Sequence, residues 1–415
     1  MGWLALDMGS TYTKCARLDV SGCSRERFMP APPNVAKKSG RYELDAEAYY
    51  QQVITLLSEL SEQGDQGILL STQMHGCVLS DRAFKPVSPY ISWQDQAGRH
   101  HFDTIRKELS EGAPRLSGVP LKPNLALCAL MARRLDGESI PEDALFHTLG
   151  GYVISRLCGK QVCHITNAAP TGLADIAQND WNEPLIQQAK LKSFLFPRIE
   201  SGLAPVGTWQ GIPIYPDLGD QQVCALGAAL TPESDACVAI GTAGLIGILT
   251  AAWADGAFEN RPWIIPGLYL RTVSGLPGGR HIRILHDFLV DITQMLAKTS
   301  VSEEAVWEFL NTPHPEYVTA DNGDAWWELL EGGGTGFAQA LYHKYASRYR
   351  TAMENMQLSI KQVVFTGGCA EKNVAFRACV EASLGAQTGS RVCSIMDGMK
   401  ALARLLSGIG LQNKS

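Results

Sequence analysis

The chain has 415 residues, 45% hydrophobic and 19% charged, which is the composition of an ordinary globular protein. This length exceeds what one hydrophobic core usually organises, so we expect two domains. The formal net charge of −6 gives no general attraction for nucleic acid or for an anionic membrane, and this excludes functions based on such overall attraction.

The cysteine pattern and the first residues bear on the compartment. Eleven cysteines form no C-x-x-C pair and no regular framework, which favours free thiols in a reducing compartment over disulfides or zinc. The opening residues, MGWLALDMGS, reach an acid before any long apolar region forms, so we expect no signal peptide. These observations predict a cytoplasmic protein without a membrane segment, and they leave open whether it forms a homodimer.

A hairpin of two short strands is predicted at the start of the chain. Its first strand is an apolar run that ends on Asp7, and its second strand follows Lys14. Between them, Gly9, Ser10 and Thr11 would let a polyanion approach the backbone N–H groups, and Lys14 adds a positive charge. Asp7 lies where a Mg²⁺ ion needs an oxygen ligand, although a surface hairpin with an incidental acid accounts for the same residues.

Polar side chains gather where the next buried strand is broken by a glycine. Gln73 and His75, in the stretch TQMHG, can exchange hydrogen bonds with hydroxyl groups in either direction. Trp93 and Asp95 follow in the stretch ISWQD, and these are residue types that hold a sugar, the ring against C–H groups and the carboxylate on hydroxyls. A structural histidine and a core tryptophan are the plainer alternatives.

Most of the remaining first half is predicted to be scaffold. Helices are expected over residues 45–63, 125–135 and 143–158 because apolar residues recur there at helical spacing. Residues 166–172, TNAAPTG, are expected to form a loop that borders the predicted sugar-binding pocket.

A carboxylate and a glycine turn lie close together in the middle of the chain. Asp220 opens a predicted helix over 221–230 and would offer its carboxylate at the helix start. After a polar turn, an apolar run leads to Gly241-Thr242-Ala243-Gly244, a backbone turn suited to holding phosphate oxygens. We interpret this stretch as the joint between two domains.

The second half begins as the first does. Residues 236–250 form a strand, turn and strand like those of the N-terminal hairpin, which is weak evidence for an internal duplication. Residues 261–263 and 275–279 carry loop signals, and the glycine run 332–336 is expected to be a flexible linker. Gly367 and Gly368, at a strand-to-helix junction, would let a flat ligand pack closely.

The order and spacing of these motifs resemble those of the FGGY carbohydrate kinases, members of the actin/Hsp70/hexokinase-like fold group. The motifs are DMGSTYTK at 7–14, TQMHG and WQD at 72–95, GDQQ at 219–222, and GTAG with TGGCA at 241–244 and 366–370. The resemblance covers essentially the whole chain. The WQD loop and the stretches 157–159, 167–169 and 261–279 look most like those of sedoheptulokinases, with xylulokinases next.

The resemblance implies an α/β fold of two RNase H-like domains, 1–232 and 233–415, around a central cleft. The first domain would bind the sugar and carry Asp220 as the general base, and the second would bind the nucleotide. ATP and Mg²⁺ are the implied cofactors, with Asp7 organising the metal. The matched binding positions are, for phosphates, Gly9, Ser10, Thr11, Lys14, Gly241, Thr242 and Gly244, for adenosine, Gly367, Gly368 and Ala370, and for the sugar, Met74, His75 and Asp95.

One departure from the family pattern keeps other functions open. Ala97 stands where the family usually has an arginine, two residues after the Asp of its Trp-x-Asp loop. The main prediction is an ATP-dependent kinase of a ketose such as sedoheptulose or xylulose. The alternatives are an ATPase of the same fold group that activates a dehydratase, and a catalytically weakened, sugar-sensing homologue.

Overall fold

The computed structural model describes residues 2–19, 22–110, 112–139, 141–297, 301–314, 332–358, 360–385 and 388–408. They form two compact units. The first runs to Gly227 and also includes Asn260–Leu268 and the described residues from Met396, whereas the second consists of Ala228–Glu259 and Tyr269–Ile395. The expected boundary at residue 232 lies five residues from the observed one. The return of the C-terminal helix to the first unit was not expected.

The first unit is built on a six-stranded sheet with several short strand pairs beside it. Its strands are β1 Trp3–Met8, β2 Tyr12–Asp19, β3 Gly22–Pro30, β4 Glu43–Leu44, β5 Gly67–Thr72, β6 Val78–Ser80, β7 Tyr90–Ile91, β8 Leu145–His147, β9 Val162–His164, β10 Ala174–Asp175, β11 Asp180–Trp181, β12 Arg198–Glu200, β13 Gly207–Trp209 and β14 Ile212–Gly219. Its helices are α1 Ala46–Leu60, α2 Ala97–His100, α3 Phe102–Glu108, α4 Ala126–Leu135, α5 Leu149–Cys158, α6 Ile165–Ala168, α7 Glu183–Gln188 and α8 Asp220–Gly227, with 3₁₀ turns at Ala113–Ser117 and Ala169–Thr171.

The strand order across the main sheet is β13-β14-β5-β1-β2-β3. β1 is antiparallel to β2 and parallel to β5, which in turn is parallel to β14. β1 and β5 are buried along their whole length, as expected for central strands covered on both faces. Because β1, β5 and β14 are parallel, their carboxyl ends meet at one edge, with Met8, Thr72 and Gly219 in register.

The second unit is built on a second six-stranded sheet, in the order β17-β18-β16-β15-β19-β20, although residues 260–262 of β17 are assigned to the first unit. Its strands are β15 Asp235–Ile240, β16 Gly244–Thr250, β17 Glu259–Pro262, β18 Tyr269–Leu276, β19 Gln362–Thr366 and β20 Thr388–Cys393. The helices that follow in chain order are α9 Gly279–Ala297, α10 Glu303–Asn311, α11 Gly333–Asn355, α12 Gly368–Lys372, α13 Val374–Leu384 and, from Met396 in the first unit, α14 Ile395–Leu406.

The two sheets repeat one topology. β15 is antiparallel to β16 and parallel to β19, as β1 is to β2 and to β5. The order β18-β16-β15-β19-β20 therefore corresponds to β3-β2-β1-β5-β14. This correspondence confirms the duplicated architecture that the sequence only weakly indicates.

Apolar side chains fill separate cores in the two units. Two buried clusters lie in the first unit, one of them between α1, α5 and the main sheet, and one cluster lies between the second sheet and α11 with α13. Among the described helices, none is both long and apolar enough to cross a membrane.

The stretch 143–158, predicted as one helix, is a strand followed by a helix. Leu145–His147 pairs with β6 as β8, and Thr148 then caps α5 by accepting a hydrogen bond from the N–H of Gly151. The apolar residues of β8 fit helical spacing as well as a short buried strand, so the pattern alone did not separate the two.

Three stretches predicted as loops or linkers are regular structure. Residues 166–172 form most of α6 and the following 3₁₀ turn, and Arg261 with Pro262 belongs to β17. The glycine run 332–336 caps and begins α11, where Gly336 is buried. Residues 166–171, the strand β17 and Gly336 are buried, and there packing overrides the weak local preference of Gly and Pro for irregular structure.

Candidate active site

Asp7 stands near the end of β1 with its carboxylate almost entirely buried. Ser71, its partner in register on β5, donates a hydroxyl hydrogen bond of 2.9 Å to Oδ1. Burial raises the pKa of Asp7 to about 6, and the hydrogen bond from Ser71 and the charge of Lys14 offset only part of this rise. The environment therefore suits a bound cation, which would stabilise the ionised carboxylate.

The turn between β1 and β2 leaves the predicted phosphate-binding residues accessible. Thr11 is exposed, and Gly9, Ser10 and Lys14 are partly exposed. The N–H of Gly9 donates to the carbonyl of Tyr12 over 3.0 Å and closes the turn. The turn thus presents small side chains and one cation next to Asp7.

Asp220 is the first residue of α8 and directly follows β14. Desolvation and, after it, the negative charge of Asp7 raise the pKa of Asp220 to about 7. The backbone N–H of Gln221 and the positive charge of Arg261 act in the opposite direction. Because β1 and β14 end at the same sheet edge, the two predicted carboxylates form one electrostatically coupled pair within the first unit.

Gly219 lets Met74, in the predicted sugar-binding stretch TQMHG, approach the end of the strand that precedes Asp220. A Cβ at Gly219 would lie 2.5 Å from Sδ of Met74 and 2.5 Å from Oε1 of Gln222. Met74 is itself buried, so it has little room to withdraw. Only glycine at this position keeps both neighbours where they are.

Gln73, predicted to contact the sugar, is buried and engaged in internal hydrogen bonds. Its Nε2 donates to the hydroxyl of Tyr49 over 3.0 Å and to the carbonyl of Gly9 over 3.2 Å. Its backbone N–H donates to Met8 over 3.0 Å. In the structure, Gln73 therefore supports the β1–β2 turn.

Asp95, predicted to contact the sugar, is fully buried and engaged in hydrogen bonds within the protein. Its Oδ2 accepts from Nη2 of Arg133 over 3.1 Å and from the N–H of Tyr42 over 3.0 Å, and its Oδ1 accepts from the N–H of Ala97 over 3.0 Å. Arg133 on α4 thus supplies a guanidinium partner from elsewhere in the chain. Asp95 holds the loop of Trp93, whose own side chain is partly exposed.

His75 is partly exposed and adopts a left-handed backbone conformation, with φ of 72°. Its Nδ1 lies 3.0 Å from the carbonyl oxygen of Pro170. Because a carbonyl oxygen only accepts, Nδ1 carries the hydrogen in this bond. The ring orientation is therefore fixed by the 3₁₀ turn after α6.

In the second unit, the turn at Gly241 and Thr242 is tied to the start of α9. The N–H of Gly279 donates to the carbonyl of Gly241 over 2.8 Å, and the N–H of Arg280 donates to the carbonyl of Thr242 over 3.0 Å. The positive end of the α9 dipole consequently lies next to this glycine turn. The N–H groups of Gly279 and Arg280 already donate to the turn, so the dipole of α9, and not these donors, favours an anion here.

A cavity of about 790 Å³ opens beside this turn. The charged residues among its described lining are all cations, and Trp307 provides an aromatic surface that is stacked on His286 at 4.3 Å. The cavity is large enough for a nucleotide-sized ligand. Its lining residues are Gly241, Thr242, Gly279, Arg280, Ile282, Arg283, Ile284, Trp307, Asn311, Gly368, Cys369, Lys372 and Asn373.

Three residues predicted to contact the nucleotide shape the backbone and are not among the described lining residues of this cavity. A Cβ at Gly244 would overlap the hydroxyl of Tyr349. Gly367 has φ of 92°, and a Cβ there would lie 2.7 Å from the carbonyl oxygen of Ile240. Ala370 is fully buried. Gly241, Thr242 and Gly368 remain as the predicted residues that line the cavity.

Sequence reasoning missed several residues that build these sites. Arg261 lies in a stretch interpreted only as a loop and as a family signal, and its role emerges from its hydrogen bond to Gln221 and its effect on Asp220. Arg283 and Lys372 gave no signal, because exposed cations are common on any surface. Asp217 could have been noticed as a second acid three residues before Asp220.

The comparisons with known proteins agree with this picture. Residues 2–227 match the FGGY family of carbohydrate kinases, N-terminal domain. The chain is 23% identical over 259 residues to a xylulose kinase of Staphylococcus xylosus, covering 58% of this chain and 54% of that protein. It is 22% identical over 404 residues to a glycerol kinase of Thermococcus gammatolerans, covering 88% and 80%. The chain thus spans about half the length of the first of these relatives.

Solved structures show the same fold. The crystal structure of xylulose kinase from Rhodospirillum rubrum matches with a TM-score of 0.81 at 17% identity, covering 99% of this chain and 91% of that one. Ligand-bound xylulose kinase from Lactobacillus acidophilus matches with a TM-score of 0.78 at 15% identity, covering 99% and 90%. The predicted α/β fold of the actin/Hsp70/hexokinase type is thereby confirmed. With more than half of its length matching the family domain, the chain belongs to the FGGY family of carbohydrate kinases.

Proposed function

We propose that this protein is an ATP-dependent kinase that transfers the γ-phosphoryl group of MgATP to a hydroxyl of a ketose such as sedoheptulose or xylulose. The observation that carries the proposal is the environment of Asp220, a residue with partial exposure whose carboxyl has a pKa raised to about 7 beside a second acid, Asp7. A general base works best when its pKa lies near the operating pH.

Asp220 would take the proton of the attacking hydroxyl as the bond to phosphorus forms. Its place at the start of α8 fixes the carboxylate at the sheet edge. Phosphoryl transfer asks little covalent work of the protein, so alignment of the hydroxyl and compensation of phosphate charge supply most of the rate. A positioned carboxylate typically contributes on the order of 10²–10⁴ in rate.

Asp7 fits a role in holding Mg²⁺. Two neighbouring carboxylates with raised pKa values suit a divalent cation, since the cation stabilises their ionised forms. When bound, Mg²⁺ would offset the charge of the phosphate oxygens during transfer. Gly9, Ser10 and Lys14 would hold phosphate oxygens beside it.

The cavity of the second unit would bind the nucleotide. Arg280, Arg283 and Lys372 supply positive charge at its lining, and the glycine turn at Gly241 adds the start of α9. Trp307 and its apolar neighbours suit a nucleobase. This combination of cations and an aromatic surface is what a purine nucleoside triphosphate requires.

The choice of a ketose rests on residues around Asp220. Arg261 and Asn167, which lie in stretches that look like those of sedoheptulokinases, are both connected to the strand and helix that carry this acid. Relatives of the chain include xylulose kinases, glycerol kinases and an L-fuculokinase. The acceptor panel should therefore span ketoses, aldoses and polyols.

The test measures ADP release with MgATP and each of sedoheptulose, xylulose, L-fuculose, gluconate and glycerol. We expect one ketose to give the highest kcat/KM, and Asp220→Asn to lower sugar-dependent turnover by about 10³-fold while MgATP still binds. Full turnover by Asp220→Asn would remove the assigned base. Sugar binding without ADP release from any acceptor would instead identify a sugar-sensing protein.

A further inference from the structure

Three residues before Asp220, strand β14 carries a second acid, Asp217, whose side chain is fully buried. Its Oδ1 accepts from the N–H of His164 over 2.9 Å. Its Oδ2 accepts from the hydroxyl of Thr148 over 2.9 Å and from Nδ2 of Asn167 over 2.8 Å. The carboxylate thus connects β14 to α5, to the end of β9 and to α6.

A second link lies immediately before the proposed base. The N–H of Gly219 donates to Oγ1 of Thr166 over 3.1 Å. The direction of the hydroxyl is fixed, because Nδ1 of His164 accepts from the N–H of Thr166 and lies 2.9 Å from Oγ1. The hydroxyl hydrogen therefore points to His164, and a lone pair of Oγ1 receives the N–H of Gly219.

The segment from Thr166 to Pro170 also contacts His75, a residue proposed to bind the sugar. The carbonyl of Pro170 accepts from Nδ1 of His75 over 3.0 Å. Asn167 also donates to Oγ1 of Thr72, at the end of β5, over 3.0 Å. The hydroxyl of Thr171 donates to the carbonyl of Ala168 over 2.6 Å and closes the 3₁₀ turn that contains Pro170.

We propose that residues 165–171 form a positioning segment that fixes the distance between Asp220 and His75, with Thr166 and Asn167 as its positioning residues. The segment is buried along its length, and the partners named above belong to the first unit. Thr166 holds the backbone just before Asp220, and the Pro170 carbonyl orients the ring of His75. The inference rests on the proposed kinase activity and names the residues that align its acceptor.

The test separates alignment from stability by comparing two reactions of the same active site. ATP can be hydrolysed by water without a sugar, or its phosphoryl group can be transferred to the sugar. Loss of alignment lowers transfer more than hydrolysis, because Asp220 can serve as base for either nucleophile, whereas only the sugar must also be held relative to His75. The ratio of the two rates does not depend on the fraction of folded protein.

We expect Thr166→Val, which keeps the shape but removes the hydroxyl, to raise the ratio of hydrolysis to transfer by about 10- to 100-fold. Thr166→Ser, the matched control, should keep the wild-type ratio. Asn167→Ala leaves the Thr166 hydroxyl in place, and it should shift the ratio in the same direction while the Kd for MgATP stays constant. A wild-type ratio in both Thr166→Val and Asn167→Ala would overturn the inference. Absence of sugar-dependent ADP release by the unchanged protein would reject the proposed function instead.

Discussion

The ionisation of Asp220 links the proposed chemistry to the stability of the protein. Its pKa rises from an ordinary 3.8 to about 7 on folding, so the folded protein holds this proton at pH values where the unfolded chain has lost it. The ionised carboxylate therefore costs stability, and the cost grows as the pH rises from about 4 to 7, by up to about 1.4 kcal/mol per unit.

Asp220→Asn should consequently be more thermally stable than the wild type without ligands, and the gain should be larger at pH 8 than at pH 5. Thermal denaturation at the two pH values measures this difference. Asp175→Asn, a partly exposed acid with no role in the site, serves as the control. An equal gain at both pH values would show that Asp220 has an ordinary pKa.

Arg261 should control the pH dependence of the reaction. Its charge lowers the pKa of Asp220, so Arg261→Met should move the acid limb of kcat/KM to higher pH. Arg261→Lys retains a positive charge and should shift the limb less. The midpoint of the limb is the measurement, because the fraction of active protein does not affect it. An unchanged midpoint in Arg261→Met would contradict the assigned effect.

Single residues were predictable where a motif encodes chemistry. Asp7 and Asp220 are far apart in sequence, yet Asp7 lies near the end of β1 and Asp220 directly follows β14, and parallel strands bring such ends together. Asp95 could not be interpreted in this way, because its partner Arg133 lies on a helix whose position the sequence does not reveal. The sequence shows that Asp95 carries a charge, but it does not show which groups form hydrogen bonds with it.

At the scale of elements, the start of α11 offers a direct test. Gly334 is exposed, and a Cβ there would meet nothing within 4 Å, so Gly334→Ala should stabilise the protein by about 0.5–1 kcal/mol. Gly333 is equally exposed but has φ of 66°, so Gly333→Ala should destabilise it. Urea unfolding of both variants measures the two effects. A loss of stability in Gly334→Ala would mean that this turn is not helical.

Helices and strands were predicted best where the apolar spacing is long enough to fit only one type of secondary structure. α1 and α4 agree with their predicted positions to within a few residues, and α1 begins at a capping acid, Asp45, which accepts hydrogen bonds from two backbone N–H groups. Short elements such as β8 and α6 were not recovered, since a few buried residues fit either period. Their structure depends on partners distant in sequence.

At the scale of the whole molecule, the charge is unevenly distributed. The net charge is −6, but the charged residues among the described lining of the 790 Å³ cavity are cations. Lys372→Glu should weaken MgATP binding by about three- to tenfold, and the effect should shrink as salt rises. Lys344→Glu changes an exposed cation outside this lining and is the control. Equal effects of the two variants on the Kd would contradict a local role.

The two sheets share one strand order but carry unequal insertions. Between β5 and β14 the chain builds a large set of short strands and helices, whereas the residues described between β19 and β20 add only α12 and α13. Under the proposed function, most acceptor contacts lie in the large insertion, while Asp7 and Asp220 belong to the sheet edge itself. Substitutions confined to this insertion could therefore change the preferred sugar during evolution, while Asp7 and Asp220 stay unchanged.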